Sequence, residues 1–265
     1  MKRPKMITKF RATLMLEATS LEGLVAAIPS LLFPASVLFF AYLVRGVAGF
    51  GSALIAVPLL ALTLPLTIVV PLVVFLDYLG SASQGLSNHE CIQWNEILPL
   101  LPFSLIGVAI SLYVMDSVKP EMLSLALGGF VMIFAVYQLL PVNLGKASRK
   151  ISVPTGFFGG FVGTLFGTGG PFYVIYLNLR HLDKSSFRAT FAAIFLIDGA
   201  MRLGGYAIKG FYTLEMLGYM ASAVPIAGLG LFFGGKIHTA LGRDAFVRLI
   251  SVLLLGSGTA LLMKA

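Results

Sequence analysis

Between Leu24 and Asn88 the chain carries only two charged side chains, Arg45 and Asp77. A run of this length holds several consecutive apolar segments of about 20 residues, the number that crosses a bilayer at 1.5 Å per residue, with no room for a soluble domain between them. The whole sequence keeps this character. Across 265 residues 58% are hydrophobic and 11% charged, and the mean hydropathy is +0.94. Soluble domains carry about 25% charged residues. The expected fold is therefore an all-α, polytopic helical membrane protein. Glycine and proline scattered through the apolar runs fit a helical bundle better than a barrel of alternating strands.

Eight apolar segments are expected near residues 31–64, 66–86, 97–115, 120–141, 151–179, 186–208, 214–234 and 243–263. They follow a basic N-terminal tail (1–28), and residues 29–265 form one transmembrane domain. The first and fifth segments are too long for a simple crossing, and each is cut by a glycine-rich kernel. These are Gly46-Val47-Ala48-Gly49-Phe50-Gly51 and Gly163-Thr164-Leu165-Phe166-Gly167-Thr168-Gly169-Gly170-Pro171. Glycine lowers helix propensity and exposes backbone that lipid cannot hydrogen-bond, so such a break must face protein or a water-filled cavity. Paired breaks in two related halves point to a transporter's substrate site.

The halves are related by position. Gly49 and Gly51 precede Gly167 and Gly169 by 118 residues, Asp77 precedes Asp198 by 121 and Glu96 precedes Glu215 by 119. These offsets predict two homologous units, about 31–142 and 151–264, joined near residues 141–150. If each cut segment crosses, a unit has four crossings and the units are parallel; if it dips and returns, a unit has three and they are inverted. Loop charge does not decide between them.

The net charge of +8 is concentrated in the tail and in short loops, which fits membrane orientation rather than a nucleic-acid face. One cysteine, Cys91, excludes an internal disulfide and a cysteine-based metal cluster. Neither a metal nor a cofactor is expected, and no nucleotide-binding glycine loop of the G-x-x-x-x-G-K-[ST] type occurs.

Ionisable groups at membrane depth are functional candidates, since each costs about 2.5–3.5 kcal/mol unless partnered. Arg45 adjoins the first kernel and Arg188 follows the second. Asp198 and Arg202 stand four apart on one helix face, with Asp77 as the first-unit counterpart of Asp198. A half-helix starting at a kernel directs free N–H groups at the break, and a guanidinium adds a planar fork for an oxyanion. The expected ligand is a small anion held by Arg45, Gly49, Gly51, Ser52, Gly167, Thr168, Gly169, Gly170 and Arg188. Asp77, Asp198 and Arg202 would serve proton coupling or an ion pair, because burial penalises a charged carboxylate. The plainer alternatives are close helix packing for the glycines, a structural pair for Asp198 and Arg202, and an interfacial position for Arg188. His89, His181 and His238 fall in predicted loops, which argues against an intramembrane serine–histidine hydrolase.

At the kernels the sequence resembles the TauE/SafE family of sulfite exporters, inner-membrane permeases of bacteria and archaea. Arg45-Gly-Val-Ala-Gly-Phe-Gly-Ser-Ala-Leu-Ile-Ala-Val-Pro58 is similar to the family's first signature and Gly156 to Pro171 to its second. The resemblance covers about residues 30–264. Two departures stand out: the first kernel has fewer glycines than in many members, and the N-terminal tail is longer than the family core requires. The resemblance implies a multi-pass protein of the cell inner membrane that carries sulfite or an organosulfonate by secondary transport, driven by the proton motive force through alternating access of the two units. Alternatives are a passive small-anion channel and a carrier of a non-sulfur carboxylate. The partners implied are the anionic substrate and the lipid bilayer, with no nucleic acid, and a homodimer is compatible.

Overall fold

The computed structural model describes residues 21–85, 89–140, 148–236 and 243–264. The basic tail residues before 21, Lys146 and His238 lie outside them. Among the described residues the chain forms eleven α-helices, two 3-10 turns and no strand. The helices are α1 (Leu21–Ala48), α2 (Ser52–Leu60), α3 (Leu66–Gly85), α4 (Trp94–Ile97), α5 (Leu101–Ser117), α6 (Pro120–Leu139), α7 (Ser152–Phe166), α8 (Gly170–Leu179), α9 (Lys184–Ile208), α10 (Leu214–Lys236) and α11 (Arg243–Lys264). The expectation of an all-helical fold holds. The first helix, α1, starts at Leu21, inside the stretch expected to be the tail.

Four helical stretches among these are long and apolar enough to cross a membrane: Leu31–Ala48, Pro120–Leu139, Ser185–Ile208 and Leu214–Lys236. Shorter apolar stretches are Leu66–Ala82, Leu101–Ser117 and Ile250–Lys264. Large apolar side chains on α5, α6 and α10, among them Ile106, Ile133 and Phe232, point outward. An exposed apolar surface of this kind suits lipid as the surrounding solvent.

Helices end at glycine turns in two places, after Ala48 and after Phe166. The Gly49 amide donates to the Arg45 carbonyl (2.6 Å) at the end of α1, and Gly49 and Gly51 take left-handed φ values of +84° and +99°. Gly167 does the same at the end of α7, with φ +71°. An L-residue with a side chain is strained in this region, so glycine is the residue that permits these turns. Pro171 then lies in the first turn of α8, where its missing N–H costs nothing.

Side-chain contacts fix the path of the chain. Arg149, just before α7, and Arg180, just after α8, both bind Glu96, so the α7–α8 hairpin enters and leaves at one end of the bundle. Near its tip, a side chain at Gly169 would run into the Gly159 carbonyl, as expected where α8 doubles back along α7. The Glu96 end also receives the start of α9, where the Gln93 amide donates to Thr190 Oγ1 (3.0 Å). At the other end Lys209, after α9, pairs with Asp116 near the end of α5. Lys264, closing α11, reaches the carbonyls of Ala61 (3.4 Å) and Leu62 (2.8 Å), directly after α2. Because α1 runs parallel to α10, with Phe39 against Gly230 and Leu43 against Gly234, it starts from this Lys264 end. The pair α1–α2 is therefore a second hairpin, opposed to the first. Six helices, α3, α5, α6, α9, α10 and α11, connect the two ends.

The principal packing partners are α1 with α10, α5 with α7, α6 with α11 and α3 with α9. Two of these seams are made by glycines whose backbones nearly touch. A side chain at Gly160 would overlap the Ser104 carbonyl, and one at Gly234 the Leu43 carbonyl. Without a hydrophobic force between helices in lipid, close backbone approach supplies the dispersion energy of association. Gly160→Ala and Gly234→Ala are expected to destabilise the protein by about 1–3 kcal/mol each, through forced separation of packed backbone. Gly228→Ala, which meets open space in mid-helix, is expected to be neutral or stabilising by up to about 1 kcal/mol. Thermal unfolding in detergent checks all three.

Candidate functional site

Asp77 in α3 is the centre of a buried polar cluster. Its Oδ1 lies 2.9 Å from Arg45 Nη1 and accepts hydrogen bonds from Ser52 Oγ (2.6 Å) and the Tyr42 hydroxyl (2.7 Å). Arg45 Nη1 also donates to Ser52 Oγ (3.2 Å), and its Nη2 donates to Ser81 Oγ (2.8 Å) and the Asp77 carbonyl (3.1 Å). Arg45 is 2% exposed. Its two terminal nitrogens are thus engaged, while its buried Nε has no hydrogen-bond partner. An anion reaching Arg45 meets a guanidinium already neutralised by a carboxylate.

A second cluster surrounds Asp198 in α9. Arg202, also 2% exposed, pairs with Asp198 from one helical turn away and donates from Nη2 to the Gly159 carbonyl (3.2 Å). Ser104 Oγ donates to Asp198 Oδ1 and stands 3.3 Å from the Tyr173 hydroxyl. The buried Arg202 Nε again lacks a partner. Each cluster contains an aspartate, an arginine and a tyrosine, with two serines (Ser52 and Ser81) in the first and one (Ser104) in the second, and each is formally neutral. Removing one member of such a pair strands the other charge in a low-dielectric interior, a loss of about 3–5 kcal/mol.

Phe195 connects the clusters. The Arg45 guanidinium carbon lies 5.9 Å from its ring centroid and the Tyr173 ring 6.2 Å away, while Gly170 of the second kernel approaches so closely that an added Cβ would stand 3.2 Å from Phe195. Phe191, one turn earlier, packs at 5.8 Å against Phe50 of the first kernel. Arg188, Phe191, Phe195, Asp198 and Arg202 follow spacings of three and four along one face of α9.

The kernels sit in different surroundings. Gly49 and Gly51 are half-buried and have nothing within 4 Å of an added Cβ. Gly167, Thr168, Gly169 and Gly170 are buried, Gly167 lying against Val57, Ala53 and Val70, and Thr168 Oγ1 has no hydrogen-bond partner. Of the residues singled out in the sequence, Arg45, Ser52 and Asp77 are brought together, and Asp198 and Arg202 are brought together. Gly163 and Gly169 stand against the Arg202 guanidinium. Arg188 is exposed toward the Glu96 end and joins neither cluster. Sequence reasoning missed Tyr42, Ser81, Ser104, Tyr173 and Phe195. Only Ser81, four residues after Asp77 as Arg202 is after Asp198, left a readable signal.

A third polar cluster closes the Glu96 end. The Tyr176 hydroxyl (2.7 Å) and Arg180 Nε (3.0 Å) donate to Glu96 Oε2, and Arg149 donates to Oε1 from Nε and Nη2, both at 3.1 Å. Burial pushes the Glu96 carboxyl upward, but hydrogen bonds from Tyr176, Arg180 and Arg149 outweigh it and hold the group below its ordinary 4.5. A carboxylate depressed in this way stabilises the fold above that value and loses its contribution as pH falls through the lower, folded-state value. Arg149 is 54% exposed and adds little. Glu96→Gln is expected to cost about 3 kcal/mol at neutral pH, mostly through Arg180. Its deficit relative to wild type should shrink as pH drops below 4.5, which melting curves across that range check.

Among the described residues, no group of three or more histidine, cysteine, aspartate and glutamate side chains is arranged to hold a metal. Helical hairpins broken inside an apolar bundle, with ionisable pairs beside the breaks, define the class of integral membrane proteins that move small solutes. The match to a protein family makes this specific: residues 35–261 fit the family described as Sulfite exporter TauE/SafE, and the chain belongs to that family. A relative from Comamonas testosteroni, "Probable inner membrane transporter protein TsaS", is 27% identical over 198 residues, covering 72% of this chain and 81% of its own. No solved structure matches. The family and this relative are described as transport proteins rather than enzymes.

Proposed function

We propose that this chain is a secondary transporter of small sulfur-containing anions in the cell inner membrane, coupled to protons. Family membership supports the substrate class, and the location is carried over from the name of the Comamonas relative. The observation that carries the mechanism is the pair of buried aspartate–arginine clusters, one beside each broken hairpin.

The chain in this reading consists of two inverted units. The first contributes the α1–α2 hairpin and crossings α3, α5 and α6; the second contributes α7–α8 and crossings α9, α10 and α11. Reciprocal packing favours it: the helix before the last in each unit lies along the opening helix of the other, as α5 with α7 and α10 with α1. The hairpins opening from opposite ends favour inversion over a parallel duplication.

The anion binds between the kernels, where Ser52 and Thr168 supply hydroxyls and the starts of α2 and α8 supply backbone N–H groups. Arg45 cannot bind it while held by Asp77. Protonation of Asp77 removes that competitor, because a neutral carboxyl no longer balances the guanidinium, and the anion takes its place. Release of the anion returns the guanidinium to the carboxylate and expels the proton. A proton and an anion thus cross together, and the exposed Arg188 attracts anions to the mouth at the Glu96 end.

Counterflow of radiolabelled sulfite into proteoliposomes preloaded with unlabelled sulfite tests this reading, with sulfoacetate and sulfate as competitors. Wild type is expected to accumulate label transiently. Asp77→Asn is expected to keep exchange, at no less than about a tenth of the wild-type rate, while losing its pH dependence. Arg45→Gln should abolish exchange. Flux without uphill accumulation would mean a channel, and an unchanged pH profile in both Asp77→Asn and Asp198→Asn would remove protons from the mechanism.

A further inference from the structure

The two clusters contain the same four residue types, yet only the aspartates hold equivalent places. By the kernel offset of 118, the second-unit counterpart of Arg45 is Gly163; by the aspartate offset of 121, the first-unit counterpart of Arg202 is Ser81. The counterparts of Tyr42 and Ser52 are Gly160 and Gly170. Going the other way, Tyr173 corresponds to Ile55, and Ser104 lies 119 residues before Ala223. Arginine, serine and tyrosine are therefore delivered to each aspartate from unrelated positions.

The space left by each absent arginine is used by the other. Arg45, arriving from α1, ends on Ser81, and Gly80 lies so near that an added Cβ would stand 3.1 Å from Arg45 Nε. Arg202, arriving from α9, fills the position where a side chain on Gly163 would project, so that even a methyl group there would overlap the guanidinium. Each site has room for one guanidinium, with two possible helices to carry it. A passive remnant of duplication would keep its residues in place; the rebuilding of one composition from different positions points to a requirement on the chemistry around the aspartate.

We infer that Ser81 and Gly163 are positioning residues, each keeping open the place of an arginine delivered from the facing helix, and that either helix can supply the single guanidinium each aspartate needs. This inference rests on the two-unit transporter reading. In it, Arg45→Gly combined with Ser81→Arg converts the first cluster to the wiring of the second, with an arginine one turn after its aspartate and a glycine facing it.

The test compares wild type, Arg45→Gly, Ser81→Arg and the double variant in sulfite counterflow at several pH values, with melting temperature in detergent measured on the same preparations. Each single variant is expected to lose at least tenfold in exchange rate and to melt earlier. The double variant is expected to recover to within about threefold of wild type, with the wild-type pH profile and melting temperature. A double variant no better than Arg45→Gly in either measurement overturns the inference. Recovery of melting temperature alone, with wild type active, also overturns it, because the arginine would then be only structural. If wild type exchanges none of the anions, the transport reading fails by itself, and recovered melting temperature still supports interchangeable positions.

Discussion

A guanidinium withdrawn from water must find a counter-charge or lose the protein its stability, and Arg45 finds Asp77 at 2.9 Å. Much of the interior follows from meeting that demand. Bringing the end of α1 against the middle of α3 requires the chain to turn sharply after Ala48, which the left-handed glycines permit. The turn presents Ser52, the first residue of α2, to the same carboxylate. The lack of a side chain at Gly80 lets the arginine lie flat along α3. In the second cluster the demand is the same and the solution is local: Arg202 reaches Asp198 along its own helix, and Gly163 yields the space.

A buried ion pair is a poor source of net stability, since desolvation offsets most of the attraction. Two apolar side chains would fill either site at lower cost. That both pairs are nevertheless present, each hydrogen-bonded by a serine, argues for a role in which charge must move or be exchanged. The Glu96 cluster differs in kind. It lies at the end of the bundle and ties the two ends of the α7–α8 hairpin to α4 through a carboxylate shared by two arginines.

The fold was legible in the sequence wherever one physical effect dominated. Apolar length located the helices, and the glycines at 49, 51 and 167 mark the turns at which helices end, where they take left-handed φ values. The Asp198–Arg202 pair followed from helical spacing. The hairpin geometry did not, because a kernel reads the same whether the chain continues or turns back, and the contacts that decide it join Arg149 to Glu96 across 53 residues. Tyr173 and Ser104 were illegible for a related reason: 69 residues separate them, and each looks like an ordinary hydroxyl in an apolar helix. Arg188 is a different case. Proximity to a kernel along the chain suggested it for the site, and in the fold its side chain is exposed and joins neither cluster.

Phe191 and Phe195 line the face of α9 beside the first kernel, while the equivalent positions on α3, counted by the aspartate offset, are Val70 and Val74, with Val70 against the second kernel. The buried rings are large and flat; valine is compact and nearly fixed in its rotamer. Under the two-unit mechanism proposed above, the two kernels are faced by side chains of different shape and stiffness, so that an anion leaving toward one side would cross a different barrier from one leaving toward the other. Unequal barriers would leave the final gradient untouched, since kinetics cannot shift an equilibrium, but they would rectify the approach to it, making one direction of traffic faster than its reverse under equal and opposite forces.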